Sequence, residues 1–275
     1  MKRVLENLFV LEMANNHWGS LERGLKIVNN FAQVVKFNNV RAAIKLQIRD
    51  VDSFIHKNYK GRNDIRYIGK TEATKLNESD MRTLVARIKE QGCLPMATPF
   101  DEASVEFCEE LDLPILKIAS SDLNDWFLIE RIALTKRPVI ASTGGSSLKD
   151  LDDLVTFFSN RHTPLGINHC VSIYPSEDAE LELNQIDFLR RRYPNNVIGI
   201  STHEYCDWHS SMLISYAKGA RIWERHIDID EDDIPISPYC SQPHQIDMWF
   251  KSYHKAVEMC GGDGSTKRIP KRKEV

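Results

Sequence analysis

The sequence predicts a single (β/α)8 barrel, on three observations. Short β-branched runs alternate with longer helical patterns along the chain, which makes the strands parallel and the class α/β. The runs number eight, and that count selects a closed barrel over an open doubly wound sheet. The length, 275 residues, is close to the roughly 250 that one such barrel consumes.

The first strand is Leu8–Met13, which runs into the polar cluster Asn15-Asn16-His17. A helix over Leu21–Phe37 follows, with Leu25, Ile27, Val28, Phe31, Val34 and Val35 at helical spacing. Ala42–Gln47 is the second strand, and a polar, irregular stretch from Asp50 to Lys75 separates it from a helix at Glu78–Gln91. Leu94–Thr98, Ile115–Ala119, Val139–Ser142, Leu165–Cys170, Val197–Ser201 and Arg221–His226 supply six more strands, several starting just after a proline or glycine. Between them fall helices at Asp101–Leu111, Asn124–Leu134, Ser147–Phe158, Asp178–Arg192 and Asp207–Lys218, and Pro243–Met259 trails the last strand. The barrel is therefore expected over residues 1–260. A flexible, basic tail is expected over 261–275, glycine-rich at Gly261-Gly262 and then carrying Lys267, Arg268, Lys271, Arg272 and Lys273; a partner-facing connection is its alternative.

Composition narrows the function classes. With 27% charged and 9% aromatic residues the chain is of ordinary globular type. A net charge of −3 leaves no basic field for nucleic acid or an anionic membrane. No apolar run approaches the roughly 18 residues of a membrane helix, and Glu6 comes too early for a signal sequence. The six cysteines are scattered singly without a CxxC pair, the pattern of reduced core thiols in a cytoplasmic protein.

In such barrels the site forms at the C-terminal ends of the strands, and there polar residues recur: Glu12 on the first strand, Lys45 and Gln47 on one face of the second, Thr98 on the third. Lys117, Ser120, Ser121 and Asp122 follow on the fourth, Ser142-Thr143-Gly144-Gly145 on the fifth, His169, Ser172 and Tyr174 on the sixth, Ser201 and His203 on the seventh, Glu224 and His226 on the eighth. A packed barrel needs few of these. Two lysines, several hydroxyls and a Ser-Thr-Gly-Gly turn opening a helix make an anion cradle. His203 and His226 close neighbouring strands, where two imidazoles hold one divalent ion or else serve as satisfied structural histidines.

The ordered set Glu12-Met-Ala-Asn-Asn-His17, Lys45-Leu-Gln47, Thr98-Pro-Phe-Asp101, Lys117-Ile-Ala-Ser-Ser-Asp122, Ser142-Thr-Gly144, His169-Cys170 with Tyr174-Pro175, Ser201-Thr-His203 and Glu224-Arg-His226 resembles the sialic acid synthase family, which includes N-acetylneuraminate, legionaminic and pseudaminic acid synthases. The resemblance implies metal-assisted condensation of phosphoenolpyruvate (PEP) with a sugar aldehyde, N-acetylmannosamine or a variant, to a nonulosonic acid and phosphate. It implies PEP on Lys45, Thr98, Lys117, Ser120, Ser142 and Ser201, and a manganese-like divalent ion on His203 and His226. The acceptor would meet Glu12, Gln47, Asp122, Ser172 and Tyr174, with Glu12, Lys45, Lys117 and Glu224 at the reacting centre. A homodimer is expected by the same analogy.

Three departures accompany the resemblance. Family members usually carry a small antifreeze-like domain after the barrel, and this chain ends about where it would begin, so a separate partner chain or the basic tail would have to replace it. Pro235-Ile-Ser-Pro-Tyr239 stands where the family has a Gly-x-Asp-His-like sugar loop. Ser201-Thr202-His203 replaces the commoner Ser-Asp-His, and Ser172 stands where an asparagine is frequent. PEP and metal positions are kept while acceptor positions are altered, which predicts retained chemistry on a different or differently held acceptor. The alternatives are a barrel lyase or isomerase on another phosphorylated small molecule, and a barrel subunit active only with a partner chain.

Overall fold

A computed structural model describes residues 4–231 and 234–262. Eight parallel strands close into one barrel in chain order: β1 (Leu8–Ala14), β2 (Ala42–Ile48), β3 (Leu94–Pro99), β4 (Ile115–Ile118), β5 (Val139–Ser142), β6 (Leu165–His169), β7 (Val197–Ser201) and β8 (Ile222–His226). The helices are α1 (Leu21–Asn38), α2 (Val51–Phe54), α3 (Arg66–Ala73), α4 (Glu78–Glu90), α5 (Glu102–Glu110), α6 (Trp126–Leu134), α7 (Leu148–Asn160), α8 (Asn184–Arg192), α9 (Ser210–Ala217) and α10 (Pro243–Cys260). The predicted barrel is therefore the observed one, with strand ends displaced by a residue or two. Residues 263–275, most of the expected tail, lie outside the described residues. Among the described residues no helix is long and apolar enough to cross a membrane. All six cysteines are free thiols, with Cys93, Cys108, Cys170 and Cys240 buried.

Strand side chains alternate between the inside of the barrel and the helix layer. On the outward parity, Phe9, Leu11, Ile44, Leu46, Leu116 and Trp223 join the large core against the helices. Phe9 stacks on Trp223 at 5.1 Å and meets Trp249 and Phe250 of α10 edge-on. On the inward parity, Leu8, Val10, Ala43, Met96, Ile115, Ile140, Val197 and Ile222 fill the lower barrel. Space there is tight: a Cβ on Gly199 would lie 2.4 Å from the Ile222 carbonyl oxygen and 2.5 Å from its Cβ. Further up the same strands the inward parity turns polar: Glu12, Lys45, Thr98, Lys117, Ser142 and Glu224 come two residues after a plug residue, Asn168 two after Gly166 and Ser201 two after Gly199. One periodicity thus builds both the apolar plug and the site above it.

The helices start where the sequence offers caps. Ser20, Asn77, Asp101, Asp125 and Ser147 each accept a backbone N–H in the first turn of α1, α4, α5, α6 and α7. Three expectations needed adjustment. The stretch 50–75 contains two short helices, α2 and α3. The helix expected over Asp178–Arg192 is broken into a 3₁₀ turn at Asp178–Glu180 and α8. There His169 Nε2 is hydrogen-bonded to the Leu181 carbonyl at 2.8 Å, burying Leu181, and Glu182 turns the chain in the left-handed region. The helix expected from Asp207 begins at Ser210, because the Asp207 carboxylate accepts the His209 and Ser210 N–H groups instead of continuing the helix.

Candidate active site

Above the apolar plug lies an open cavity of about 430 Å³ at the C-terminal ends of the strands. The register assembles its floor: Glu12 pairs with Lys45 on one side and His226 on the other, Ser142 with Asn168, and Ser201 with Glu224. β1 ends in a register shift at Ala14, whose φ of 49° turns Asn15 and Asn16 out of the sheet. Asn16 then donates to the Ile227 carbonyl at 2.8 Å and ties β1 to the exit of β8.

The centre of the floor is a buried charge network. Glu224 Oε1 accepts from Lys45 Nζ at 3.1 Å and from Ser201 Oγ at 3.2 Å, and lies 3.7 Å from Lys117 Nζ. Lys45 Nζ also contacts Glu12 Oε2 at 2.9 Å and Thr98 Oγ1 at 3.1 Å. Lys117 Nζ donates to Ser142 Oγ at 2.7 Å and to the Ile118 carbonyl at 3.2 Å. Burial opposes charge on Lys45, but Glu12 and Glu224 outweigh it and lift the ammonium above its ordinary value. For Lys117 burial wins: its pKa is lowered, Glu224 offsetting only part of the cost and the Lys45 charge adding to it. Burial likewise opposes the Glu12 carboxylate, yet Lys45, with help from Lys117, holds it well below the usual carboxylate range. Lys45 is thus a compensated cation, and Lys117 a cation short of anionic partners.

The fifth-strand turn supplies the cradle beside Lys117. Gly144 N–H donates to Ser120 Oγ at 3.1 Å, and a Cβ on Gly144 would fall 1.9 Å from Ser172 Oγ. Only glycine lets the β4, β5 and β6 loops approach this closely. Ser120, Ser142 and Ser172 therefore line one wall together.

His203 and His226 sit higher, with ring centroids 5.5 Å apart. His226 Nε2 is 3.7 Å from Glu12 Oε2. Burial lowers both imidazole pKa values and so favours the neutral rings, each with a lone pair for a metal. Among the described residues no group of three or more His, Cys, Asp or Glu side chains is placed to hold a metal ion. Two neutral imidazoles fit an ion that takes its remaining ligands from water or substrate, not a closed structural site. The Tyr174 ring lies 3.9 Å from the His203 ring, tilted by 42°, and Tyr239 packs edge-on to His226 at 5.2 Å.

Of the residues the sequence singled out, Glu12, Lys45, Gln47, Thr98, Lys117, Ser120, Ser142, Ser172, Tyr174, Ser201, His203, Glu224 and His226 all line this cavity. Asp122 does not: it lies in the 3₁₀ turn after β4, bonded to Ser121 Oγ at 2.7 Å, with Ser121 on the wall instead. His169 is turned outward to Leu181, and its neighbour Asn168 faces the floor, 3.5 Å from Glu224 Oε2. The parity of β6, with Gly166 facing the plug, was the signal for Asn168. His17 is fully buried, its Nδ1 accepting the Gly19 N–H at 3.1 Å. Arg49, also on the wall, escaped notice although it continues the Lys45, Gln47 parity.

A parallel barrel with a charged, hydroxyl-rich cavity at its strand C-termini has the architecture of an enzyme that handles anionic small molecules. The particular family is NeuB: the chain matches it over residues 27–264 and belongs to it. It is 28% identical to an N-acetylneuraminate-9-phosphate synthase of Drosophila melanogaster, over 89% of this chain and 66% of the relative. It is 28% identical to a pseudaminic acid synthase of Campylobacter jejuni, over 81% of this chain and 65% of the relative. The chain thus spans about two thirds of the length of these curated relatives. A solved structure of spore coat polysaccharide biosynthesis protein E from Chromobacterium violaceum superposes with a TM-score of 0.93 at 38% identity, covering 96% of this chain and 79% of that one.

Proposed function

We propose that the chain condenses PEP with a sugar aldehyde to give a nonulosonic acid and phosphate. The observation that carries this is the pair of buried ammonium groups, Lys45 and Lys117, converging on one carboxylate in a cavity ringed by hydroxyls. Such an array suits a small, multiply charged anion better than a neutral sugar. Family membership and relatives named as nonulosonic acid synthases support the same reading.

In this reading Lys45, Thr98, Lys117, Ser120, Ser142 and Ser201 hold the phosphate and carboxylate of PEP. His203 and His226 would hold a divalent ion such as manganese, which when bound supplies Lewis acidity toward the aldehyde oxygen. C3 of PEP forms the new bond to the aldehyde carbon as the carbonyl electron pair moves to oxygen, which takes up a proton and becomes a hydroxyl, and positive charge develops at C2. Water adds at C2 and loses one proton; the resulting C2 hydroxyl loses the other as the C2–O bond to phosphate breaks, leaving a C2 ketone and phosphate. Glu224 touches both lysines and stands nearest the PEP site, so we assign the water to it. Glu12, bonded to Lys45 and Gln47 and facing His226, belongs to the acceptor side. Lys117, short of anionic partners, gains most as charge builds on the departing phosphate.

The test is phosphate release from PEP with manganese and a panel of aldoses. Aldose-dependent release that Lys117→Ala abolishes supports the proposal. Metal-dependent turnover of another phosphorylated compound without PEP consumption would move the chain to a lyase or isomerase. Activity only on mixing with a second protein would make it a partner-dependent subunit.

A further inference from the structure

Arg49 is not needed for the chemistry above, yet it stands on the cavity wall. Its guanidinium lies over the Phe100 ring at 3.6 Å, and its one hydrogen bond runs from Nη1 to Gln47 Oε1 at 3.0 Å. Gln47 Nε2 in turn donates to Glu12 Oε1 at 3.1 Å, so a single amide separates Arg49 from the acceptor-side carboxylate. Among the described residues no carboxylate forms an ion pair with Arg49. Asp101 and Asp122 are its nearest acids besides Glu12. Asp101 is committed to the Asp50 and Ser104 N–H groups, and Asp122 accepts from Ser121 at Oδ1 while its Oδ2 makes no hydrogen bond to Arg49. Lys70 lines the same cavity and is equally without an ion pair among the described residues; its ammonium lies 5.3 Å from the Trp18 ring.

The charge balance of the cavity is uneven. Its lining carries Lys45, Arg49, Lys70 and Lys117 against only Glu12 and Glu224. Both carboxylates are engaged by the deep lysines, so the uncompensated charge of the lining sits at Arg49 and Lys70. Burial depresses the Arg49 pKa and the neighbouring acids do not restore it, which marks a guanidinium lacking an anion. Its planar fork keeps N–H donors available, and the Phe100 face fixes its plane.

We propose that Arg49, assisted by Lys70, binds an anionic group, a phosphate monoester or a carboxylate, carried by the acceptor at the end remote from its aldehyde. The proposal rests on the condensation reading above. It selects within that reading: a charged acceptor, read from β2, not a neutral one. Arg49 also lines a second cavity of about 510 Å³ under α4 and α5.

The test compares a free hexosamine, its 6-phosphate and the corresponding 6-carboxylate as acceptors in the PEP-consumption assay, with wild type, Arg49→Ala and Arg49→Lys. One charged acceptor should show a KM at least about tenfold below that of the neutral sugar, as charge-assisted fork contacts give. Phosphate or carboxylate preference then identifies the group. Arg49→Ala should erase the preference and leave the KM for PEP unchanged, while Arg49→Lys keeps part of it. Equal use of neutral and charged acceptors by wild type, or an Arg49→Ala effect on PEP instead, overturns the proposal. Calorimetric titration of both charged sugars onto wild type and Arg49→Ala, with PEP present, reads the subsite without turnover. Arg49-dependent binding with no turnover would uphold the subsite and sink the condensation reading; turnover without charge preference would do the reverse.

Discussion

Lys45 Nζ and Glu224 Oε1 lie 3.1 Å apart in the barrel interior, each only 2% exposed. The contact ties β2 to β8 and leaves Lys117 to share the same oxygen at 3.7 Å. Glu224→Gln keeps the shape and removes the charge. Leaving buried ammonium groups undercompensated should cost about 3–5 kcal/mol of stability, read as a lower denaturant midpoint. The same change removes a negative charge beside the proposed PEP site, so PEP should bind at least as tightly while kcat falls by roughly 10²–10⁴. An unchanged kcat would remove Glu224 from the reacting centre.

Lys117 gives a pH dependence with a definite sign. In the proposed reaction the ammonium form holds the phosphate, and burial lowers its pKa below the ordinary lysine value. PEP affinity should therefore fall as pH rises through that lowered pKa, earlier than an unperturbed lysine at about 10.4 would allow. Lys45, whose pKa is raised, stays charged over the same range. Calorimetric titration of PEP from about pH 6 to 10 checks this, and Lys117→Met should abolish the alkaline limb.

Gly144 tests the cradle by size alone. A methyl group there would meet Ser172 Oγ at 1.9 Å and Ser172 Cβ at 2.8 Å, so the loops must part. Gly144→Ala should raise the KM for PEP about tenfold or more, as loss of a positioned contact does. Gly144→Ala with Ser172→Gly should recover part of the loss. A harmless Gly144→Ala would show that the three loops do not act together.

Gly199 makes the matching test of the plug below. The Ile222 backbone and side chain close over it, so Gly199→Ala should destabilise the barrel by about 1–3 kcal/mol. Thermal melting measures this, and the PEP dissociation constant of the folded fraction should stay within a few-fold of wild type.

The barrel was legible because its strands alternate strictly between a helix-facing apolar parity and an inward one, and because cap residues mark the helix starts. The site was legible for a related reason: Lys45 between Ile44 and Leu46, or Glu224 between Trp223 and Arg225, has no place in an apolar interior unless it works there. Sequence erred where parity alone cannot choose. At the end of β6 two polar residues adjoin, and the Leu181 carbonyl, 12 residues on, claims His169 and leaves Asn168 inside. Asp122 was expected at the acceptor, but a 3₁₀ turn rotates it from the cavity and presents Ser121. Arg49 sits one residue past the last strand residue of β2, where irregular sequence hides the continuing parity.

The central claim, that Lys45 and Lys117 hold PEP beneath an imidazole pair, is tested most directly by a crystal structure soaked with PEP and manganese. The account predicts phosphate density within hydrogen-bond distance of Lys117, Ser120 and Ser142, and metal density beside His203 and His226. PEP bound elsewhere, with those lysines still contacting only Glu12, Glu224 and the strand hydroxyls, would contradict it.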